Sequence, residues 1–215
     1  VYKRQGLTTL ILLVISMPLA WWLAHTQSKL SNMVAALVSL PLVLPPTVIG
    51  FYLLIVLGPK GAVGGGLESM GLSHLAFTFW GILIGSIIYS LPFAVQPLRE
   101  AFSSIGERYL DAASTMRASA LDRFFSVVLP LSRSGILTAV VITFAHTVGE
   151  FGVIAMLGGS IAGETKVVSI AIYDYTSAME YDKAHRLSAI LLGFSFITLF
   201  LFYAINQRVM SPLKP

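Results

Sequence analysis

The sequence predicts an all-α polytopic membrane protein with about five spanning helices, and three observations predict it. Of its 215 residues 56% are apolar and only 11% charged, a balance foreign to soluble domains. Mean hydropathy is +0.82. The 14 basic and 10 acidic residues leave uncharged stretches at Gln5 to Ser28, Leu30 to Pro59, Ser69 to Leu98, Ser134 to Gly149 and Leu187 to Gln207. A bilayer core about 30 Å thick needs roughly 20 apolar helical residues, and all but the fourth stretch reach that length. The chain has no cysteine, which excludes disulfides, thiolate chemistry and cysteine-held metals. A net charge of +4, scattered without a basic stripe, excludes nucleic acid as a partner.

The chain opens with Val1-Tyr2-Lys3-Arg4-Gln5, which reads as a translated sequencing adapter rather than native protein, so residues 1–5 are set apart from the fold. Without Lys3 and Arg4 the net charge is +2. Residues 6–215 then form a single transmembrane domain. Its spans are Leu7 to Ala24, Met33 to Leu57, Ala76 to Leu98, Ile136 to Leu157 and Leu187 to Ile205, each read as one helix. Helices are required because an unpaired backbone group in hydrocarbon costs several kcal/mol, and the alternating pattern of a membrane barrel is missing. The connections are a short turn (His25 to Asn32), a Gly-rich loop (Gly58 to His74), a long charged segment (Arg99 to Gly135), a mixed segment (Gly158 to Arg186) and a tail.

Lys29, Arg99, Arg108, Arg117, Arg123, Arg133, Arg208 and Lys214 fall on one side, against Lys60, Lys166, Lys183 and Arg186 on the other. The richer side is read as cytoplasmic. This places residues 99–135 in the cytoplasm as a folded segment: Leu110, Ala113, Arg117, Leu121, Phe124 and Val128 recur every three or four residues, with Asp111, Asp122 and Arg123 off that stripe. Such a helix pair either docks a partner or lies on its own spans.

Within it, Asp111-Ala112-Ala113, Ala118-Ser119, Phe124-Phe125 and Leu129-Pro130-Leu131 resemble the "EAA" loop of the permease subunits of ATP-binding-cassette importers. The resemblance implies a MetI-like permease fold. It also implies that Asp111, Ala112, Ala113, Arg117, Ala118, Leu121, Phe124, Leu129 and Pro130 couple to a cytoplasmic ATPase subunit, with Asp111 to Leu121 as the coupling helix. The family pattern has Gly where this chain has Arg117, a position where Gly would serve a tight turn. Leu40 to Gly50, Gly149-Glu150-Phe151-Gly152 and Gly163-Glu164-Thr165 are similar to the molybdate branch, and the last two motifs are shared with sulfate and thiosulfate permeases.

In span two, Pro41, Pro45 and Pro46 remove donors and crowd preceding carbonyls, so the helix must kink or break. Broken backbone at membrane depth needs protein or a water-lined path around it, which makes these prolines either a pore-lining element or a packing kink. Glu150, the only formal charge within a span, must face the interior. With Gly149, Phe151 and Gly152 it is either an outer gate or, with His146 four residues earlier, a buried polar pair. Gly163, Glu164 and Thr165 fall on the outer face, as an external docking loop or an ordinary turn. Gly81 and Gly85 form a small-x-x-x-small pair suited to a close helix crossing.

Gly61 to Gly66 and Gly158 to Gly163 lack the Gly-Lys-Ser/Thr of a phosphate loop, and the four histidines lack ligand spacing, so no nucleotide site, metal, cofactor or catalytic residue is expected. The resemblance implies a homodimeric, multi-pass permease of the cytoplasmic membrane. Its partners would be membrane lipid, a separate ATPase and a periplasmic or lipid-anchored molybdate-binding protein. By the same resemblance it would import molybdate or tungstate, with ATP hydrolysis expected in the separate ATPase subunit rather than in this chain. The alternatives are a sulfate or thiosulfate permease and, in another class, a self-sufficient secondary carrier, against which stand the few spans and lone carboxylate.

Overall fold

A computed structural model describes residues 2–210. Val1 and residues 211–215, with Lys214 of the charge count, lie outside them, as do the side chains of Tyr2, Lys3, Glu107 and residues 207–210, Arg208 among these. The chain is helical throughout the described residues: α1 (Tyr2–His25), α2 (Lys29–Val43), α3 (Pro46–Leu57), α4 (Gly64–Ser69), α5 (Phe79–Ser103), α6 (Glu107–Thr115), α7 (Ala120–Arg123), a π-helical turn (Phe124–Val128), α8 (Leu129–Leu131), α9 (Arg133–Gly149), α10 (Gly152–Gly158), α11 (Val168–Ser177) and α12 (Tyr181–Met210). Arg4–His25, Phe79–Ser103 and Tyr181–Asn206 are single helices long and apolar enough to cross a membrane; two bent pairs bring the number to as many as five.

Span two is broken into two helices, the break that its prolines require. Lys29–Val43 and Pro46–Leu57 diverge by 112°. Leu44 precedes a proline and is driven to extended backbone (φ −75°, ψ 138°), Pro45 follows at ψ 136°, and Pro46 opens α3 with its missing N–H where none is needed. Pro41 takes no part: it lies inside α2, as Pro18 lies inside α1 and Pro92 and Pro97 inside α5. One missing donor bends a helix; the Pro45-Pro46 pair ends it. Span four is also divided, since α9 stops at Gly149 and α10 begins at Gly152, leaving Glu150 extended (φ −63°, ψ 127°) between them.

Contacts between helix ends give the direction of each crossing. Ser86, early in α5, meets Arg4 of α1 and Glu150 after α9, while Phe102, late in α5, shares a core with Ala20, Leu23 and Val128. So α1 and α5 run parallel and α9 against them. Ser134 at the start of α9 donates to Asn206 near the end of α12, so α12 runs with α5. Lys29, Arg99, Arg108, Arg117, Arg123 and Arg133 therefore share one end of the bundle, as the charge count expects. The central helix is α5, touching α1, α2, α3, α9 and α10. Apolar cores flank it at each end, Ala20, Leu23, Val95, Leu98 and Phe102 inward and Ile82, Ile154, Leu57 and Leu157 outward. In contrast α12 leaves Leu192, Phe196 and Phe200 at least 63% exposed.

Close approach of α5 and α9 depends on Gly135, where a Cβ would collide with the Ala101 side chain. Gly135→Leu should therefore lose about 1–3 kcal/mol of stability, read as a lower thermal midpoint in detergent. Gly193→Leu, with open space around it, should leave the midpoint unchanged.

Candidate functional site

The two helix breaks meet. A Cβ on Gly152 would lie 2.9 Å from the Pro46 ring, and one on Gly50 2.7 Å from Met156 Cβ, so glycine on each side lets α3 and α10 pack in contact. Around this junction lies a cavity of about 460 Å³ lined by Pro46, Thr47, Tyr89, His146, Glu150 and Phe151, with Gly149 and Gly152. Of the expected path residues, Pro46 and the whole of Gly149 to Gly152 come together here. Pro45 caps α3 behind them, and Pro41 is elsewhere, among Leu37, Leu40 and Tyr52.

Glu150 is 3% exposed. Ser86 of α5 donates to its Oε2 at 2.6 Å, and Ser169 of α11 donates to its backbone carbonyl at 2.6 Å, so two other helices hold the break. Arg4 Nη1 lies 2.9 Å from Oε2 and Nη2 donates to the Thr147 carbonyl at 2.9 Å, giving the carboxylate an ionic partner from the segment set apart in the sequence. His146 does not pair with Glu150. Its Nδ1 is 2.9 Å from Ser90 Oγ, and its ring stacks on Phe93 with centroids 3.8 Å apart. One helical turn separates the two side chains, and Ser90, one turn beyond Ser86 on α5, takes the histidine. Ser86, Ser90, Thr143 and Thr147 are all fully buried. Sequence reasoning passed over them, although two Ser four apart in an apolar span is a legible sign of a polar seam. Gly85 does meet α10, at Val153 and Leu157, but Gly81 faces the Leu75 carbonyl rather than a helix.

The charged segment is not one helix from Asp111 to Leu121. Helix α6 ends at Thr115, and Arg117 adopts the left-handed conformation (φ 59°). The Ala118 N–H reaches the Ala113 carbonyl at 3.2 Å and the Arg117 N–H the Ser114 carbonyl at 2.9 Å, a Schellman ending. Ser119 and Asp122 then start α7 with a reciprocal capping box. These bonds hold the Asp122 carboxyl below its usual range. Pro130 has no N–H for the Ser126 carbonyl, and the chain widens over Phe124–Val128, Leu129 donating five residues back to Phe124.

The expected coupling residues divide. Asp111, Ala112, Arg117, Leu121 and Pro130 are exposed, with Leu121 at 70%, and Met116 (83%) and Phe125 (62%) join them. Ala113, Ala118 and Leu129 are half-buried. Phe124 turns inward onto Trp21 and Phe102, anchoring the segment to α1 and α5. On the outer side Gly163 (φ 83°) and Glu164 are exposed. Thr165 is fully buried, donating to the Gly158 carbonyl at 2.7 Å and accepting from the Ile161 N–H at 3.0 Å, so it ties the loop down. Among the described residues no cluster suited to a metal ion occurs.

A family described as "Binding-protein-dependent transport system inner membrane component" matches residues 16–213. The molybdenum transport system permease protein ModB of Azotobacter vinelandii is 54% identical over 202 residues, 94% of this chain and 89% of that protein. The sulfate transport system permease protein CysT of Salmonella typhimurium is 28% identical over 91% of this chain and 70% of its own length. A bacterial alginate ABC transporter, solved in complex with an alginate pentasaccharide-bound periplasmic protein, has a chain that superposes with a TM-score of 0.78 at 20% identity, covering 98% of this chain and 77% of that one.

Left-handed backbone costs a non-glycine residue roughly 1–2 kcal/mol. Arg117→Gly should therefore tighten the turn, seen as slower hydrogen exchange at the Ala118 amide. The Asp122 contribution to the α7 cap is present above the ordinary carboxylate range and lost as pH falls through its lowered pKa. Exchange protection of the Ser119 amide, which donates to that carboxylate, should fall with it, and Asp122→Asn should flatten that pH profile.

Proposed function

Because this chain belongs to the family of inner-membrane components of binding-protein-dependent transport systems, we propose that it is the permease subunit of an ATP-driven importer of molybdate or tungstate. The observation that carries a transport mechanism is the meeting of two helix breaks around one cavity beside a buried carboxylate. Broken backbone is tolerated in a membrane where it lines a path, and it is also where a bundle hinges. The much greater likeness to the molybdenum permease than to the sulfate permease supports molybdate as the cargo.

In this reading the chain holds half of a two-fold path in a homodimer, and ATP hydrolysis takes place in a separate cytoplasmic subunit. That subunit receives the exposed face of Asp111, Ala112, Met116, Leu121 and Phe125. Movement of α6 and α7 reaches the bundle through Phe124, wedged against Trp21 and Phe102. Glu150, held by Ser86 and Ser169, closes the outer end of the path through bonds between three helices and does not bind the oxyanion, since like charges repel. An external binding protein docks over Gly163 and Glu164. The two nucleotide states must favour different arrangements of the docked loop for such coupling to operate.

Four measurements test this. Copurification with the ATPase and binding-protein subunits encoded nearby should give a complex whose ATP hydrolysis rises with molybdate-loaded binding protein; a response to sulfate alone would favour the sulfate reading. Leu121→Asp should lower ATPase copurification at least tenfold with unchanged membrane insertion. Glu150→Gln should change transport, or uncoupled hydrolysis, several-fold while yield stays constant, and unchanged transport would make the carboxylate purely structural. A chain beginning at Gly6 behind an initiator Met tests whether residues 1–5 belong to the fold: yield and hydrolysis equal to those of the 215-residue chain would support a non-native start, and a loss in both would make the Arg4 pair part of the native site.

A further inference from the structure

On α5, Tyr89, Phe93, Gln96 and Glu100 follow one another at helical spacing along one face. Tyr89 lines the outer cavity beside His146. Phe93, next along, stacks flat on that histidine at an interplanar angle of 23°. One turn further, Gln96, Arg99, Glu100, Ser103 and Ser104, with Ser39 of α2, line a second cavity of about 560 Å³ at the inner end. Two cavities thus share one helix face with an aromatic stack between them. The inner lining contains no apolar side chain. It offers the guanidinium of Arg99, the amide of Gln96 and hydroxyls from both helices.

We propose that the inner cavity is a weak oxyanion-contact site, a station for a tetrahedral dianion such as molybdate below the Phe93–His146 stack. The inference rests on the anion-import reading of the preceding section. A tetrahedral oxyanion only accepts hydrogen bonds, and this lining is rich in donors: the fork of Arg99, the NH₂ of Gln96 and the Ser39 and Ser103 hydroxyls. Glu100 is the countervailing group. Its carboxylate lies in the same lining and repels the anion, so the site holds its ligand loosely, as a station on a path must if the ligand is to leave. The cavity is wider than a bare anion needs, so the anion keeps part of its water there. Ser39 on α2 and Ser103 on α5 belong to different helices, and a shift of α2 against α5 would pull the donor set apart.

The chain has no cysteine, so single cysteines can be read without background. Ser103→Cys and Ser39→Cys would each be reconstituted with the ATPase and binding protein, without nucleotide, and the rate of modification by a sulfonate-bearing thiol reagent measured from the inner side. Millimolar molybdate should slow modification at least threefold at both positions. It should not slow it at Gln27→Cys, which is exposed on the same side outside the cavity. Adding Arg99→Gln should abolish the protection, whereas Glu100→Gln should lower the molybdate concentration that gives half protection. Undiminished modification at both cysteines in a complex that imports molybdate would overturn the station and leave the import reading intact. Equal slowing at Gln27→Cys would overturn it as well. Failure of the unmodified complex to import molybdate would remove the import reading and this inference with it.

Discussion

The structure turns on one constraint: in hydrocarbon, a helix can be broken only where protein takes up the freed backbone groups. This chain breaks two helices, at Pro45-Pro46 and at Glu150-Phe151, and sets the breaks against each other. Glycine at Gly50 and Gly152 permits the contact, since a side chain at either would enter the opposite helix. Ser169 takes the carbonyl of Glu150 that no helical N–H reaches. The outer cavity, the central position of α5 and the burial of Glu150 all follow from that junction.

A buried carboxylate adds a second demand, because charge in such a site costs at least roughly 2.5 kcal/mol unless it is compensated. The compensation comes from the Arg4 guanidinium and the Ser86 hydroxyl, set in a seam of small hydroxyl residues, Ser86 and Ser90 on α5 and Thr143 and Thr147 on α9, between two apolar cores. Small residues allow α1, α5 and α9 to approach, and the hydroxyl of Ser86 reaches the carboxylate. The same seam leaves the Thr8, Ser16 and Thr143 hydroxyls and Glu150 Oε1 without protein partners.

The inner end has the opposite character. There the aromatic rings of Trp21, Phe102 and Phe124 join the charged segment to α1 and α5, with centroids 5.5 to 6.4 Å apart. The segment itself carries a left-handed arginine, a capping box and a π-helical turn, each explained by one or two neighbouring residues. It is a locally specified element seated on an aromatic anchor.

The sequence by itself determined the place of the apolar spans, the folded charged segment and the gathering of basic residues at one end. These depend on period, charge and backbone preference, which act over a few residues. Several features were out of its reach. Prolines at 18, 41, 92 and 97 look no different from 45 and 46 taken singly, yet only the adjacent pair ends a helix. His146 stands one turn from Glu150 but turns to Ser90, Thr165 faces inward to pin its loop, and Phe124 anchors where an exposed contact was expected. What only the tertiary structure decided is which polar groups meet. Hydrogen-bond partners 56 to 82 residues apart are chosen by how helices cross, and that is set by the steric fit of glycines and hydroxyls across α3, α5, α9 and α10 rather than by local pattern.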